Sequence, residues 1–248
     1  NTRCKSYATA LIMSVKDIQI QMLPSTRANN FIKANHYSGK VVPNSKLHFG
    51  VFYKNKLEGV LQYGASMDKS KIIGLVKDTK WNNFLELNRM ALTDNLPKNA
   101  ESRSIAITCK LIKKHAPDID WIISFADGTQ CGDGTIYRAS GFLLTGIKKS
   151  NSILKFKNGE VYHTQTFVAH PTVKQKIFNN KNFFEITDGT CSIKYLCKKL
   201  DVEILPGHQF RYIKFLKPHL QKNLTVDVIP FNEIKKQGAS MYKGQSYG

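Results

Sequence analysis

Acidic residues are in short supply: 18 Asp and Glu stand against 37 Lys and Arg, giving the 248-residue chain a formal charge of +19 at pH 7. That is far more than solubility needs, and it predicts attraction to a polyanion, nucleic acid first. An acidic membrane is the competing polyanion. Yet no apolar run approaches the roughly 18 residues needed to span a bilayer, and no basic amphipathic helix stands out, so no membrane role is expected. Cysteine is sparse as well. Cys4, Cys109, Cys131, Cys191 and Cys197 form no C-x-x-C pair, and the N-terminus lacks the pattern of a secretory leader, so a reducing, cytoplasmic setting is expected. Cys191 and Cys197 with His208 and His219 match no standard zinc spacing, and ordinary buried or surface thiols are the plainer reading. Internal repeats and low-complexity tracts are missing too, which disfavours a solenoid or a long disordered arm.

What is present reads as alternating elements. LHFGVFYKNKLEGVLQYG, Leu47 to Gly64, holds two apolar and aromatic stretches around the polar turn KNKLEG, which predicts an antiparallel hairpin. Trp81 to Leu92 ends in a strand alternation at Leu85, Leu87 and Met90. Ser102 to His115 changes period: Ile105, Ala106, Cys109 and Ile112 oppose Lys110, Lys113 and Lys114, as in an amphipathic helix that Ala116 and Pro117 stop. WIISFA, Trp121 to Ala126, suits a strand buried on both faces, and a short helix follows over Gly134 to Ala139, closed by Gly141. This order predicts an α/β (α+β) fold with a mixed sheet. Beyond it, FKNGEVYHTQTF reads as a second hairpin around Asn158-Gly159, with a helix at Ser192 to Lys199 and a strand at Phe210 to Leu216. From Lys148 onward 17 basic residues face 7 acidic ones, against 20 and 11 before it, so the C-terminal part is the denser electropositive surface. The Gly- and Ser-rich last dozen residues read as a mobile tail.

GTIYRASGF, Gly134 to Phe142, resembles the short helix and following strand of the GNAT superfamily. WIISFAD is similar to the strand before that helix, and SRSIAITCKLIKKH to the helix after the superfamily's pyrophosphate loop. NLPKNAESRS falls where that loop would be, and a helix N-terminus with unpaired amides is a sound cradle for phosphate. The loop glycines of the superfamily are absent. Lys98, Asn99, Arg103 and Ser104 are the candidate cofactor contacts; a polar loop capping a helix through Ser102 is the plain alternative. Within this set, Asn35-His36-Tyr37-Ser38-Gly39, ELNRMAL, SFAD, IYRASGF and PGHQFRYIKFL resemble the phage Mom family in particular. The resemblance implies a GNAT-like, mostly antiparallel central sheet flanked by helices. It divides the chain into an N-terminal segment (1–30), a catalytic core (31–147), a basic extension packing on that core (148–236) and a tail (237–248).

The resemblance further implies transfer of a carbamoylmethyl group to the exocyclic amine of adenine in phage DNA, guarding it against host restriction, in the cytoplasm of the infected bacterium. Its site residues carry over to His36, Tyr37, Asp127 and Tyr137. Adenine's amine is a weak nucleophile because its lone pair is delocalised, so it must be positioned and relieved of a proton. Asp127, following an apolar strand, is the candidate base or amine acceptor, with a turn or helix cap as its plain alternative. Tyr137 is the candidate general acid or donor to an acyl oxygen, with core packing as the alternative. His36 and Tyr37 are candidates for stacking on an extruded base or for proton transfer, with a surface turn as the alternative. Tyr63 either lines the cleft or belongs to the core. Lys194, Lys198, Lys199, Arg211 and Lys214 are the candidate rim for the backbone of double-stranded DNA.

Acetyl-CoA or a related CoA thioester is the donor the fold implies, and a metal such as iron and a homodimer both stay open. Two other functions remain: a GNAT-type acetyltransferase acting on RNA, protein or a small-molecule amine, and a non-catalytic basic DNA-binding protein. Neither an Asn/Asp-Pro-Pro-Tyr/Phe motif nor a glycine-rich methyl-donor loop is present, which sets adenine methyltransferases aside.

Overall fold

A computed structural model describes residues 15–242 and 245–246, so Cys4 and the first half of the expected N-terminal segment lie outside the described residues. The chain forms two compact units. The first extends to Ile122 and takes back Phe215–Thr225; the second holds Ile123–Lys214 and resumes at Val226.

In the first unit, β1 (Gln19–Met22), α1 (Ser25–Asn35), β2 (Ser45–Tyr53), β3 (Lys56–Gly64), α2 (Lys69–Ile72), β4 (Phe84–Leu92) and α3 (Ala100–His115) lead into β5 (Trp121–Asp127). Strands β1 to β4 are neighbours in that order, each pair antiparallel. The expected hairpin is β2 and β3, but its turn is only Lys54-Asn55, both at positive φ (48° and 62°). That is the two-residue turn whose twist matches a hairpin, so Lys56 onward already pairs. Leu23, Ala28, Ile32, Val60 and Ala91 bury together between α1 and the sheet. Helix α3 starts before the expected Ser102 cap because Asn99 takes the left-handed conformation (φ 68°) and its carbonyl accepts from Arg103 N at 3.1 Å. Its buried face is Ser104, Ile105, Thr108, Cys109 and Ile112, whereas Ala106 points outward, contrary to the expected apolar stripe.

The returning segment is bound tightly to this unit. Leu216 N donates to Asp120 O (2.8 Å), Lys217 Nζ pairs with Asp120 Oδ1 (2.6 Å), and Thr225 N donates to Leu75 O (2.9 Å). Trp121 stacks on Phe84 with centroids 4.4 Å apart while its indole N–H donates to Thr79 Oγ1.

The second unit continues β5 into α4 (Gly128–Cys131), α5 (Thr135–Ala139), β6 (Leu143–Lys155), β7 (Val161–His163), α6 (Gln165–Val168), α7 (Phe183–Ile186), α8 (Ile193–Leu200), β8 (Glu203–Phe215) and α9 (Asn232–Lys236). A final pair, β9 (Met241–Tyr242) and β10 (Gln245–Ser246), lies within the stretch expected as a mobile tail. Strand order is β5-β8-β6-β7, with β6 antiparallel to both β8 and β7. The Asn158-Gly159 turn is present, with Gly159 at φ 84°, but the return strand ends at His163 and TQTF belongs to a helical turn instead. Five of the seven residues in one core cluster lie beyond Lys157: Leu154, Phe156, Phe167, Phe178, Phe183, Leu196 and Val202 bury together. The architecture is the mixed α/β fold expected, its strand pairs mostly antiparallel and flanked by helices. Among the described residues no helix is long and apolar enough to cross a membrane.

Candidate active site

Helix α1 stops at Asn35, and His36 turns to extended geometry while its N–H still donates to Ile32 O at 2.9 Å. The ring folds back so that Nδ1 accepts from Ser38 N (3.1 Å) and lies 2.8 Å from Ser38 Oγ. An Nδ1 used as acceptor leaves the proton of the neutral ring on Nε2. Burial, and then the positive charge of Arg89, hold the His36 pKa down to about 4, so the ring is neutral near pH 7. Tyr37 packs beside it, centroids 4.2 Å apart, and is 60 % exposed.

Arg89 comes from β4. Its Nε donates to Lys40 O (3.1 Å) and its Nη1 to Asn88 O (2.8 Å), which clamps the His36 loop to the sheet. The pairing shifts register between Gln62/Arg89 and Tyr63/Leu87, leaving Asn88 as the extra residue of a bulge. Buried Asn88 uses that position to bond Ala65 O (3.3 Å) and to accept from Ser45 Oγ (3.1 Å). Gly64 is required there, because a Cβ would overlap the Asn44 carbonyl oxygen and come within 2.7 Å of Asn88 Oδ1. Opposite Gly64, the half-buried Glu86 has its carboxyl pKa raised by burial, against the attraction of Arg89. His48, Gln62 and Arg89 are cross-strand partners in one row; Gln62 Nε2 is 3.0 Å from His48 Nδ1 and donates to Asn29 Oδ1 (2.8 Å).

The other two candidates lie in the second unit. Asp127 ends β5 and caps α4, its Oδ1 accepting from Thr129 N at 3.0 Å. Tyr137 sits on α5, buried between Tyr212 (5.1 Å between centroids) and Phe142 (5.4 Å). The Tyr212 hydroxyl donates to Asp133 O, and its pKa is pushed far up, first by burial. Gly134, at φ 83°, lets this aromatic nest close: a Cβ would lie 2.5 Å from the Tyr212 ring.

Tyr63 is a core residue, fully buried, with its hydroxyl 2.6 Å from Thr108 Oγ1. Lys98 and Asn99 line a cavity of about 330 Å³ that runs from Leu92 to Glu101 at the start of α3. Arg103 is exposed, and Ser104 is fully buried with its Oγ unpartnered. The cavity's loop is fixed from below by buried Glu58, which accepts from Thr93 Oγ1 (2.5 Å) and Asn95 Nδ2 (3.0 Å). Of the expected rim, Lys194 and Lys198 are exposed on α8, while Lys199 pairs with Asp188 at 2.8 Å. Arg211 is committed to Thr145 (2.6 Å to its carbonyl) and Lys214 to Ser140 O (2.7 Å), so both brace the second unit. Cys191 is exposed, Cys197 is half-buried, and no group of three metal-ligating side chains gathers among the described residues.

Residues 17–233 match the Mom protein family. A relative, the methylcarbamoylase mom of Escherichia phage Mu, is 33% identical over 210 residues, covering 84% of this chain and 80% of its own. The chain belongs to the Mom protein family.

Two solved structures align with this Mom-family chain at low identity. One is a Bacillus subtilis acetyltransferase in complex with CoA (10% identity, TM-score 0.43, 80% of this chain and 98% of that one). The other is the spermidine/spermine N-acetyltransferase SpeG of Vibrio cholerae (9% identity, TM-score 0.44, 84% and 98%). The phage Mu relative bears the name of a group-transferring enzyme, and the chain is a transferase of that family. Glu86, Asn88 and Arg89 had no assigned role in the sequence reading of this Mom-family chain, although ELNRMAL carried part of the resemblance. The available signal was physical: three polar or charged positions within four residues interrupt the apolar pattern of a central strand, where burial of such groups is costly unless they are used.

Proposed function

We propose that this chain transfers a carbamoylmethyl group to the exocyclic amine of adenine in double-stranded DNA and thereby shields a phage genome from restriction in the host cytoplasm. The observation that carries this reading is its identity to a methylcarbamoylase across four fifths of both chains. The charge of +19 supports a polyanionic substrate.

The residues divide the labour as follows. Neutral His36 offers Nε2–H as a donor, and Tyr37 offers an exposed ring for an extruded base to stack on. Arg89, half-buried, stabilises negative charge that develops on the donor group. Asp127 accepts from the adenine amine and takes its proton, and the Tyr137 hydroxyl donates to the departing group. Exposed Lys194 and Lys198 contribute to backbone attraction.

A CoA thioester fits the loop from Leu92 to Glu101 in part. The amides opening α3 and Lys98 are suitable contacts, whereas Ser104 is fully buried and does not line the cavity, and Glu101 in the first turn opposes a phosphate there. When bound, a CoA thioester supplies an activated acyl carbon and a thiolate leaving group. A carbamoylmethyl product needs a new bond from nitrogen to a methylene carbon, so the full donor carries more than an acetyl group.

Nucleoside mass spectrometry on DNA from cells expressing the chain tests the reading. A heavier deoxyadenosine is expected with the unsubstituted protein and not with Asp127→Ala. Asp127→Asn keeps the helix cap, so its inactivity would separate chemistry from folding. Unmodified DNA in every strain would favour acetyl transfer to another acceptor.

A further inference from the structure

The two most exposed large apolar side chains among the described residues are Met67 (84 %) and Tyr37 (60 %). A lone exposed methionine is unremarkable in itself. These two sit on loops tied to one another: Ala65 N donates to Asn44 O (3.3 Å), and Asn44 Nδ2 donates back to Ala65 O. Asn88 Nδ2 holds the same Ala65 carbonyl, and Arg89 holds the Tyr37 loop at Lys40 O. Met67 thus leaves the sheet from an anchored stem just beyond the end of β3, the strand whose Gln62 pairs with Arg89.

Its surroundings are electropositive. Lys69 is drawn over the Trp81 ring (4.7 Å) and donates to Asn82 Oδ1 (3.0 Å), and Lys46 on β2 repels it. Trp81 remains 54 % exposed. Asp68, the adjacent acid, is occupied by Lys71 at 2.7 Å. An apolar tip on a rigid stem among lysines suits insertion into a stacked, charged polymer, as apolar wedges do in bent or unstacked DNA.

We propose that Met67 enters the duplex and fills the space of the extruded adenine, while Lys46 and Lys69 hold the flanking phosphates. The inference rests on the proposed adenine modification. A base leaves the stack at a cost of a few kcal/mol, and a side chain that occupies the gap offsets part of it. Tyr37 then meets the extruded base and Met67 the vacancy, one loop for each.

The test begins in cells, where an adenine modified by the unsubstituted chain is mapped. A duplex carrying 2-aminopurine at that position then reports unstacking by fluorescence. The unsubstituted protein should raise the signal several-fold, Met67→Ala should bind the duplex comparably and raise it little, and Met67→Leu should restore it. Opposite an abasic site, where pairing no longer resists extrusion, Met67→Ala should match the unsubstituted protein. A full signal from Met67→Ala on the paired duplex overturns the inference, as does an equal loss on both duplexes. Absence of any modified adenine in cells would instead overturn the functional reading and this inference with it.

Discussion

In the first unit, half-buried Arg89 and Glu86 stand three positions apart on one strand, with Arg89 beside a neutral histidine, and backbone carbonyls hold the guanidinium. In the second, Tyr137 lies in a nest of rings closed by a positive-φ glycine, and Asp127 is spent partly on capping a helix. The difference is one of tolerance. Charges near solvent can adjust to an incoming anion, whereas an aromatic nest fixes its hydroxyl before any ligand arrives. The first region is therefore expected to answer to charge and the second to shape.

The sharpest way to break that contrast is Arg89→Ala, for which modified deoxyadenosine should drop by about 1,000-fold. Arg89→Lys should recover little, because an ammonium cannot reproduce the fork that holds both carbonyls. Tyr137→Phe should lower the rate by about 100-fold with the melting temperature nearly unchanged. Full activity in that variant would make Tyr137 a packing residue only. Gly64→Ala should cost about 3 kcal/mol, since the overlap is with backbone. For a chain of this size that lowers the melting temperature by roughly 10 °C, and an unchanged melting curve would count against the close approach at the bulge.

The smallest effect is in pH. The folded-state pKa of His36 is depressed from 6.5 to about 4, so its contribution is present above pH 6.5 and is lost as pH falls towards 4. Denaturation followed across that window should show stability falling with acid, and His36→Gln should flatten the slope. Glu86 acts with the opposite sign, because its raised pKa means that acid relieves the cost of a buried carboxylate. Glu86→Gln should therefore steepen the fall.

The elements legible in the sequence were those with a plain apolar pattern. The β2-β3 hairpin and α3 have apolar positions that repeat at the strand and helix spacing, and β5 is apolar on both faces. Helix α1 was not legible, because STRANNFIKAN buries only Ala28 and Ile32 against nine positions that do not. Helix α4 has four residues and depends on the Asp127 cap rather than on pattern. The proposed site residues His36, Tyr37, Asp127 and Tyr137 were named from resemblance, not from pattern. Arg89 was not among them, because its placement depends on a bulge and on a carbonyl 49 residues away at Lys40. Arg211 and Lys214 were expected at the rim, and spacing alone did not show that each also bonds a backbone carbonyl within the second unit.

The return of Phe215–Thr225 to the first unit has a consequence for the order in which the protein is made. Asp120 waits for Lys217 across 97 residues, and Gly74 for Thr225 across 151. A ribosome delivers the chain from its N-terminus, and contacts so distant in sequence cannot form until the second unit has been synthesised. The nascent first unit, with His36 and Arg89 already translated, therefore waits for its returning segment, and slowing synthesis between residues 123 and 214 should lengthen its exposure to chaperones and proteases.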